Sequence, residues 1–481
     1  LRPRLPITLA YNQEASVKAR ESAAADVDAN PEINTYEPGR STLAEGGKPI
    51  GLTELRLLMR EHVTLLQQRS WPEFLGHSLA TFSLYAGLFA LCGLYMWTLS
   101  RGLLVDTRRL ATLLGAVFAT VMFSWFFAHD QWRAESVPVL LFALAATIAY
   151  QREVALLMTV GVAMLVTLTL GQGLAHFLIL GTSAAVAVLV TGRIRTRTRL
   201  IYVGLAVSIA SFLVALCVGR VLGQAYGAPQ LIRDSLFDSI ESGPREHLMN
   251  GLVSGASWAA LCAMLSSILM TGVLPFVERL FDVQTDMSLL ELGDARHPLL
   301  QELVRKAPGT YNHSINVASI GEAAAEAIGA NSLLVRVGAY FHDIGKMLKP
   351  QYFVENQGQE VNRHQSLVPA MSTLVIIAHV KDGADLARQH HLPQSIIDFI
   401  EQHHGTTLVE YFYRQATKQS EDDPDGADID EAHFRYPGPR PQTRETAVLM
   451  LADAAESASR TLVDPTPSRI ENLVHELAMK R

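Results

Sequence analysis

The stretch LVSGASWAALCAMLSSILMTGVLPFV, residues 252–277, contains no charged side chain. The hydrocarbon core of a bilayer is crossed by about 20 apolar helical residues, with a range of roughly 17–25. A run of this length and texture therefore reads as a transmembrane helix. Upstream, the same texture recurs at residues 74–99, 110–128, 137–150, 154–170, 174–191 and 201–218. So many long, nearly uncharged runs in succession are not the pattern of buried helices in a soluble core. The run at 137–150 is short, begins Val137-Pro138, and is separated from the next by only Gln151-Arg152-Glu153. The reading is seven spans, with six as the alternative.

Composition agrees with this. The 481 residues are 49% hydrophobic and 18% charged, with mean hydropathy +0.18. Soluble domains carry roughly 25% charge. These values exclude a disordered chain, a collagen and a small disulfide scaffold. Forty Lys and Arg against 47 Asp and Glu give a net charge of −7, so no basic bias exists and a nucleic-acid polymer is not an expected partner. Cys92, Cys217 and Cys262 all lie in apolar runs and read as small buried hydrophobes. The chain opens Leu1-Arg2-Pro3, without an initiator Met or an apolar leader, so a natural start upstream of Leu1 is expected.

Arginines orient the spans. The links after the first, third and fifth hold Arg101, Arg108, Arg109, Arg152, Arg193, Arg195, Arg197 and Arg199. The other links hold Arg133, Arg220, Arg233 and Arg245, diluted by Asp234, Asp238, Glu241 and Glu246. By the positive-inside rule the first set faces the cytoplasm. Seven spans then place residues 1–72 outside and everything after Val277 inside. Within 1–72, the segment 52–66, with Leu55, Leu57, Leu58, Val63 and Leu65, reads as a juxtamembrane helix. His77 and His176 are the main ionisable groups inside the spans, and a packing role is expected for each.

Four regions follow: 1–72 as an extracytoplasmic remnant, 73–277 as the membrane domain, 278–305 as a connector, and 306–481 as a cytoplasmic domain. The connector's Leu289, Leu290, Leu292, Leu299, Leu300 and Leu303 point to short helices. Beyond it, apolar residues recur at helical spacing: Ile315, Ala318 and Ile320, then Leu333, Leu334, Val337 and Phe341. Helices are expected at 372–390, 394–404, 443–462 and 467–479, with Gly345 and Gly405 as C-terminal caps. No alternating run of strand length appears, so this domain is expected to be all-α. The acidic stretch 420–430 reads as a solvated loop.

The informative side chains are His313, His342, Asp343, His379, His403, His404 and Asp453. Imidazole and carboxylate groups are ligands for hard or borderline divalent cations. Each comes from a different expected helix or helix end, which is how helical bundles assemble metal sites. Singly, each has a plain alternative: His403-His404 as a solvated pair at a helix C-terminus, His379 as a satisfied core histidine. Asp453 sits in the apolar run Met450-Leu451-Ala452-Asp453-Ala454, where an unpaired carboxylate would be costly. His390-His391 is read as solvated.

The segment Tyr340-Phe341-His342-Asp343-Ile344-Gly345-Lys346 resembles the signature of the HD phosphohydrolase superfamily. Longer stretches resemble one branch: APGTYNHSINVASIGEAAAEAIGANSLLVRVGAYFHDIGKMLKPQYFVENQ (307–357), DFIEQHHGT (398–406) and FRYPGPRPQTRETAVLMLADAAESASRTL (434–462). They resemble the seven-transmembrane HD family, the PgpH-type cyclic di-AMP phosphodiesterases, from about Phe74 to Arg481. That family carries a large extracellular domain before its membrane block, so residues 1–72 read as a shortened version. The resemblance implies a binuclear ligand set of His313, His342, Asp343, His379, His403, His404 and Asp453. His379, His403 and His404 are the members that a mononuclear HD site would not need. The donor set suits Fe or Mn better than tetrahedral Zn.

The expected mechanism is two-metal hydrolysis of a phosphodiester, with Asp343 bridging the ions and a hydroxide between them as nucleophile. His313, His342 and Asp453 would complete one shell, and His379, His403 and His404 the other. Lys346 would place an ammonium on the phosphate, the alternative being a solvated lysine. The resemblance implies cyclic di-AMP as substrate and linear pApA as product. The residues alone support only a nucleotide phosphodiester or phosphomonoester. Tyr352, Asn356 and Gln357, with Phe353, offer a stacking surface and amide edges for adenine, and Arg435 and Tyr436 are weaker candidates. Each of these reads equally as loop packing. The rivals are hydrolysis of a guanosine alarmone or a deoxynucleotide triphosphate, and a nucleotide-binding receptor without catalysis. Other expected partners are the lipid bilayer, a second copy in a homodimer, and an extracytoplasmic ligand of unspecified chemistry. The expected location is the bacterial plasma membrane, multi-pass, regulated from its outer or membrane region.

Overall fold

The computed structural model describes residues 14, 16–22, 35–36, 41–45, 50–68, 70–99, 101–129, 132–192, 194–227, 244–358, 362–422 and 429–480. Among them the chain is helical, with no strand beyond one isolated antiparallel bridge between Leu408 and Arg435. The chain divides into two compact units, Leu1–Ala86 and Gly87–Arg481. The first contains the amphipathic helix Leu52–Gln67, close to the expected 52–66.

Six helices are long and apolar enough to cross a membrane: Trp71–Thr98, Thr107–Phe127, Arg152–Thr169, Leu174–Thr191, Arg197–Leu222 and Leu248–Phe281. The seventh apolar run forms Ser136–Ala149, only 14 residues long. It is also among the most enclosed, with Val139, Leu140, Ala143 and Leu144 buried. A short helix encased by neighbours does not need a full bilayer width of its own, which explains the ambiguity of its sequence.

Several polar groups in the membrane block are satisfied internally, as a lipid solvent favours, though Thr159 Oγ1 and one Glu135 oxygen are buried without a hydrogen bond. Thr167 and Ser266 donate to carbonyls four residues back, of Ala163 at 2.8 Å and Cys262 at 2.7 Å. Ser211 donates to Ser183 across helices at 2.8 Å, and Ser208 to the Ala260 carbonyl at 2.8 Å. His176 lies 3.7 Å from buried Glu135, consistent with packing, whereas His77 is exposed. Cys92 and Cys262 are buried, but Cys217 is exposed. Its apolar run is real; it faces outward because a membrane-spanning helix turns an apolar face to lipid.

The last long helix ends at Phe281, and the chain turns at Asp282 with φ +53°. Thr285 then caps Asp286–Leu292 by accepting from Ser288 N at 3.3 Å. This short helix sits against the link before Arg197–Leu222: Met287 N donates to Ile194 O at 3.2 Å, and Arg195 Nε reaches Asp286 at 3.1 Å.

Pro298–Lys306, Pro308–Ala327 and Pro369–Gln389 each carry proline in the first turn, where its missing N–H costs nothing. Asn331 caps Ser332–Phe341 by accepting from Leu334 N at 3.2 Å, and Thr443 with Thr446 caps Arg444–Ser459. Such caps are each worth about 1 kcal/mol. Leu299, Leu300, Leu303, Phe341, Ile396 and Ile400 form one buried cluster, and Val317, Val335, Phe399 and Leu449 another. Helices Gln394–Gln402 and Pro467–Lys480 lie where expected. Helix Glu410–Glu421, which the sequence reading did not anticipate, buries only Phe412 and Ala416 on an otherwise polar surface. The acidic stretch 420–430 falls mostly outside the described residues.

Candidate metal centre

His313 projects from the middle of Pro308–Ala327 and His379 from Pro369–Gln389. His342 caps the C-terminus of Ser332–Phe341, and Asp343 follows as the chain tightens into the 3-10 turn Ile344–Leu348. Gly345 lies inside that turn and is not the C-terminal cap expected of it. Its role is close approach: a Cβ there would stand 1.9 Å from the His379 carbonyl and 2.6 Å from Gly383 N. The HD turn is thus pressed onto the helix bearing His379. Gly405, by contrast, does end its helix, at φ +54°, just beyond His403 and His404.

All seven side chains converge. Asp343 is the hub. Its Oδ2 lies 3.2 Å from His342 Nε2 and 3.5 Å from His313 Nε2, and its Oδ1 lies 3.3 Å from His379 Nε2 and 3.6 Å from His403 Nε2. Asp453 Oδ1 lies 3.0 Å from His313 Nε2, and its Oδ2 3.9 Å from His404 Nδ1. Three overlapping donor groups have spacings fit for an ion: His313 with His342 and Asp453; His379 with His403 and His404; and His342 with Asp343 and His403.

The donors are set up for cations. His342, His379 and His403 each direct Nδ1 to a backbone carbonyl, of Ala339 at 2.7 Å, Ile376 at 2.5 Å and Ile400 at 2.8 Å. That fixes the proton on Nδ1 and turns the lone pair of Nε2 inward. His342 Nε2 and Asp343 Oδ1 are buried without a hydrogen bond, and Asp343 Oδ2 has the Lys346 ammonium at 2.7 Å. Orphaned acceptors packed this closely are costly unless a cation sits among them. The residues therefore fit a divalent metal centre.

Charge in the cluster follows from the same contacts. Burial opposes ionisation of Asp343, but His342 and Lys346 hold its carboxyl well below the usual range. Asp453 is similarly depressed against burial by its hydrogen bond to His313. Burial pushes His404 far down, and the neighbouring His403 adds to this. His313 goes the other way: burial opposes protonation, but its bonds to Asp453 and Glu456 lift it to about 9.

Around this centre stand groups that the sequence reading missed. Glu456 Oε2 meets His313 Nδ1 at 2.5 Å. It is itself held by Arg460 at 2.7 Å and Asn316 at 3.2 Å. Its signal was its place three residues after Asp453, hence on the same helix face. Glu355 pairs with Lys346 at 2.9 Å and accepts from Thr310 Oγ1 at 3.1 Å. Phe353, which the sequence reading did name, lies with its ring 5.6 Å from that of His379.

Lys346 is not a solvated lysine. Its ammonium stands 2.7 Å from Asp343 Oδ2, between that carboxylate and Glu355. The proposed base contacts divide. Both ends of the Asn356 amide are engaged by Thr310, at 3.1 and 2.7 Å, so it fastens the loop to the His313 helix. Gln357 donates to the Gln351 carbonyl at 3.0 Å, and Tyr352 packs edge-on against His364. Arg435 is held by Glu431 and by the Thr406 carbonyl. Tyr436 alone of the five abuts the centre, its ring 4.2 Å from that of His404. His391 is exposed, as expected of the 390–391 pair.

Comparison with known proteins agrees with this architecture. Residues 77–285 match the family described as 7TM receptor with intracellular HD hydrolase, and residues 310–458 match the HD domain. A Bacillus subtilis (strain 168) protein named cyclic-di-AMP phosphodiesterase PgpH is 37% identical over 347 residues, covering 70% of this chain and 45% of its own length. The protein of that name from Listeria monocytogenes is 47% identical over 214 residues, 44% of this chain and 29% of that one. The chain thus spans less than half the length of these curated relatives. A crystal structure of the L. monocytogenes PgpH HD domain in complex with cyclic-di-AMP shares 49% identity, with TM-score 0.37, covering 39% of this chain and 85% of that one. With an apolar helical block of that receptor type followed by an HD domain, the chain belongs to the seven-transmembrane HD family.

Proposed function

We propose that this chain is a membrane-anchored, metal-dependent phosphodiesterase that hydrolyses cyclic di-AMP to linear pApA on the cytoplasmic face of the plasma membrane. The single observation that carries the reading is the buried convergence of His313, His342, Asp343, His379, His403, His404 and Asp453 around unsatisfied acceptor atoms. The names of the relatives supply the substrate.

His313, His342 and Asp453 would hold one divalent ion and His379, His403 and His404 the other, with Asp343 shared; Fe or Mn suits these donors. When bound, such a pair supplies Lewis acidity and a water of lowered pKa. The rest falls to the protein. The carbonyls of Ala339, Ile376 and Ile400 keep three imidazoles in the ligating tautomer. Glu456 orients His313 from behind. Lys346, held between Asp343 and Glu355, gives a cationic edge for a scissile phosphate. Tyr436 closes the His404 side of the centre against water and offers a ring edge to a base. The arginine distribution supports the orientation. A sensory role for the outer and membrane regions follows from one chain joining all three compartments.

The test is turnover by the purified full chain in detergent with Mn²⁺, with the product identified by mass spectrometry. The proposal expects pApA from cyclic di-AMP. Preferential hydrolysis of a guanosine tetraphosphate or a deoxynucleotide triphosphate in the same panel would overturn the substrate assignment.

A further inference from the structure

A cavity lies in the membrane block, far along the chain from the histidines. It has a volume of about 360 Å³ and is lined by Leu103, Asp106, Arg108, Arg109, Tyr150, Phe281 and Asp282, among others. Ligand pockets typically run from roughly 300 to 1,000 Å³. Three helix ends frame it: the start of Thr107–Phe127, the end of Ser136–Ala149, and the end of Pro244–Phe281. Two of these belong to helices long enough to span, so the cavity lies at the level where hydrocarbon gives way to headgroups.

Its lining pairs opposite charges around an aromatic floor. The Tyr150 and Phe281 rings meet edge-on at 5.7 Å. Arg109 is held 3.3 Å from Asp106, whereas Arg108 and Asp282 have no ion-pair partner among the described residues. Two guanidiniums present forked donors suited to a phosphate. Asp106 is already balanced by Arg109, which leaves the Asp282 carboxylate to accept from an ammonium. A purely anionic headgroup would leave Asp282 facing negative charge, and a quaternary ammonium could not donate a hydrogen bond to it.

We propose that this cavity binds the headgroup of a phospholipid bearing both a phosphodiester and a primary ammonium, that is, a phosphatidylethanolamine-type lipid. Arg108 and Arg109 take the phosphate, Asp282 the ammonium, and Tyr150 with Phe281 the glycerol region. The position gives binding a consequence. Asp282 is the joint, at φ +53°, between the last long helix and the short helix that leads to the HD domain. A headgroup held there bears directly on that joint.

The experiment uses the full chain in nanodiscs of phosphatidylcholine alone, or doped with phosphatidylethanolamine or phosphatidylglycerol. Lipid retained through detergent washing is counted by native mass spectrometry, and Tm is recorded alongside. Wild type is expected to retain phosphatidylethanolamine selectively and to gain Tm from it. Asp282→Asn and Asp282→Gly, both of which accept a left-handed backbone, are expected to lose the selectivity while staying folded. R108Q/R109Q is expected to lose retention of every phospholipid. Equal retention of phosphatidylethanolamine and phosphatidylglycerol by wild type overturns the proposal, as does selectivity that persists in both Asp282 variants.

Discussion

Removing the Glu456 carboxylate should weaken the metal centre without touching a ligand. Glu456 is buried, and its Oε2 stands 2.5 Å from His313 Nδ1. Burial works against its charge, yet His313 and Arg460 hold it down at about 2. In Glu456→Ala, His313 loses the carboxylate that fixes its tautomer, keeping Asp453 at Nε2 and the Arg460 guanidinium 2.9 Å from Nδ1. Loss of such an orienting carboxylate lowers metal affinity roughly 10–100-fold, or about 1.4–2.8 kcal/mol. That matches the 1.5–3 kcal/mol typical of a charged hydrogen bond. Arg460 is half-exposed and can rehydrate, so its release adds little. Glu456→Gln keeps an oxygen that accepts from Nδ1–H and should fall between wild type and alanine. The assay is calorimetric titration of Mn²⁺ into chelator-stripped protein at fixed pH. Wild-type affinity in the alanine variant, or equal losses in alanine and glutamine, would refute the orienting role.

Other predictions follow from the same contacts. Gly345→Ala places a methyl carbon 1.9 Å from the His379 carbonyl, so a loss of roughly 1–3 kcal/mol or more is expected as a lowered Tm; an unchanged Tm would contradict the close packing of the HD turn. Since His313 is lifted to about 9 from an ordinary value near 6.5, its stabilisation of chelator-stripped protein is full below about 6.5 and disappears as pH rises through about 9. The Tm difference between stripped wild type and His313→Gln should shrink across that window, and a constant difference would count against the His313–Glu456–Asp453 network. Protons and cations compete for His313, so Mn²⁺ affinity should rise over the same window, read by titration at several pH values. Asp343→Asn should abolish turnover of cyclic di-AMP, as the loss of the hub between both donor groups requires; near-normal rates would rule out the shared role.

The membrane block and the convergent histidine and aspartate cluster were legible because each rests on a strong local signal. Uncharged runs of spanning length have few other uses, and His342-Asp343 and His403-His404 sit at helix ends where adjacent side chains face one cavity. The 137–150 run stayed ambiguous because periodicity reports apolarity, and enclosure by other helices is a tertiary fact. Gly345 was misread for a related reason: a glycine after a helix resembles a cap, and only the approach of the His379 helix reveals what it accommodates. Glu456 and Glu355 were overlooked because an acidic residue in an amphipathic helix or loop carries no mark of its partner 143 or 9 residues away. Asn356 and Gln357 looked available for a base because sequence does not show that Thr310 and Gln351 already engage them.

Metal content of the purified full chain, by inductively coupled plasma mass spectrometry after loading with Mn²⁺ and desalting, tests the account most directly. The expected values are two ions per chain in wild type, about one in a His379→Ala/His404→Ala double variant, and none tightly held in Asp343→Ala. A wild-type chain that retains no divalent ion, or an Asp343→Ala chain that retains two, would contradict it.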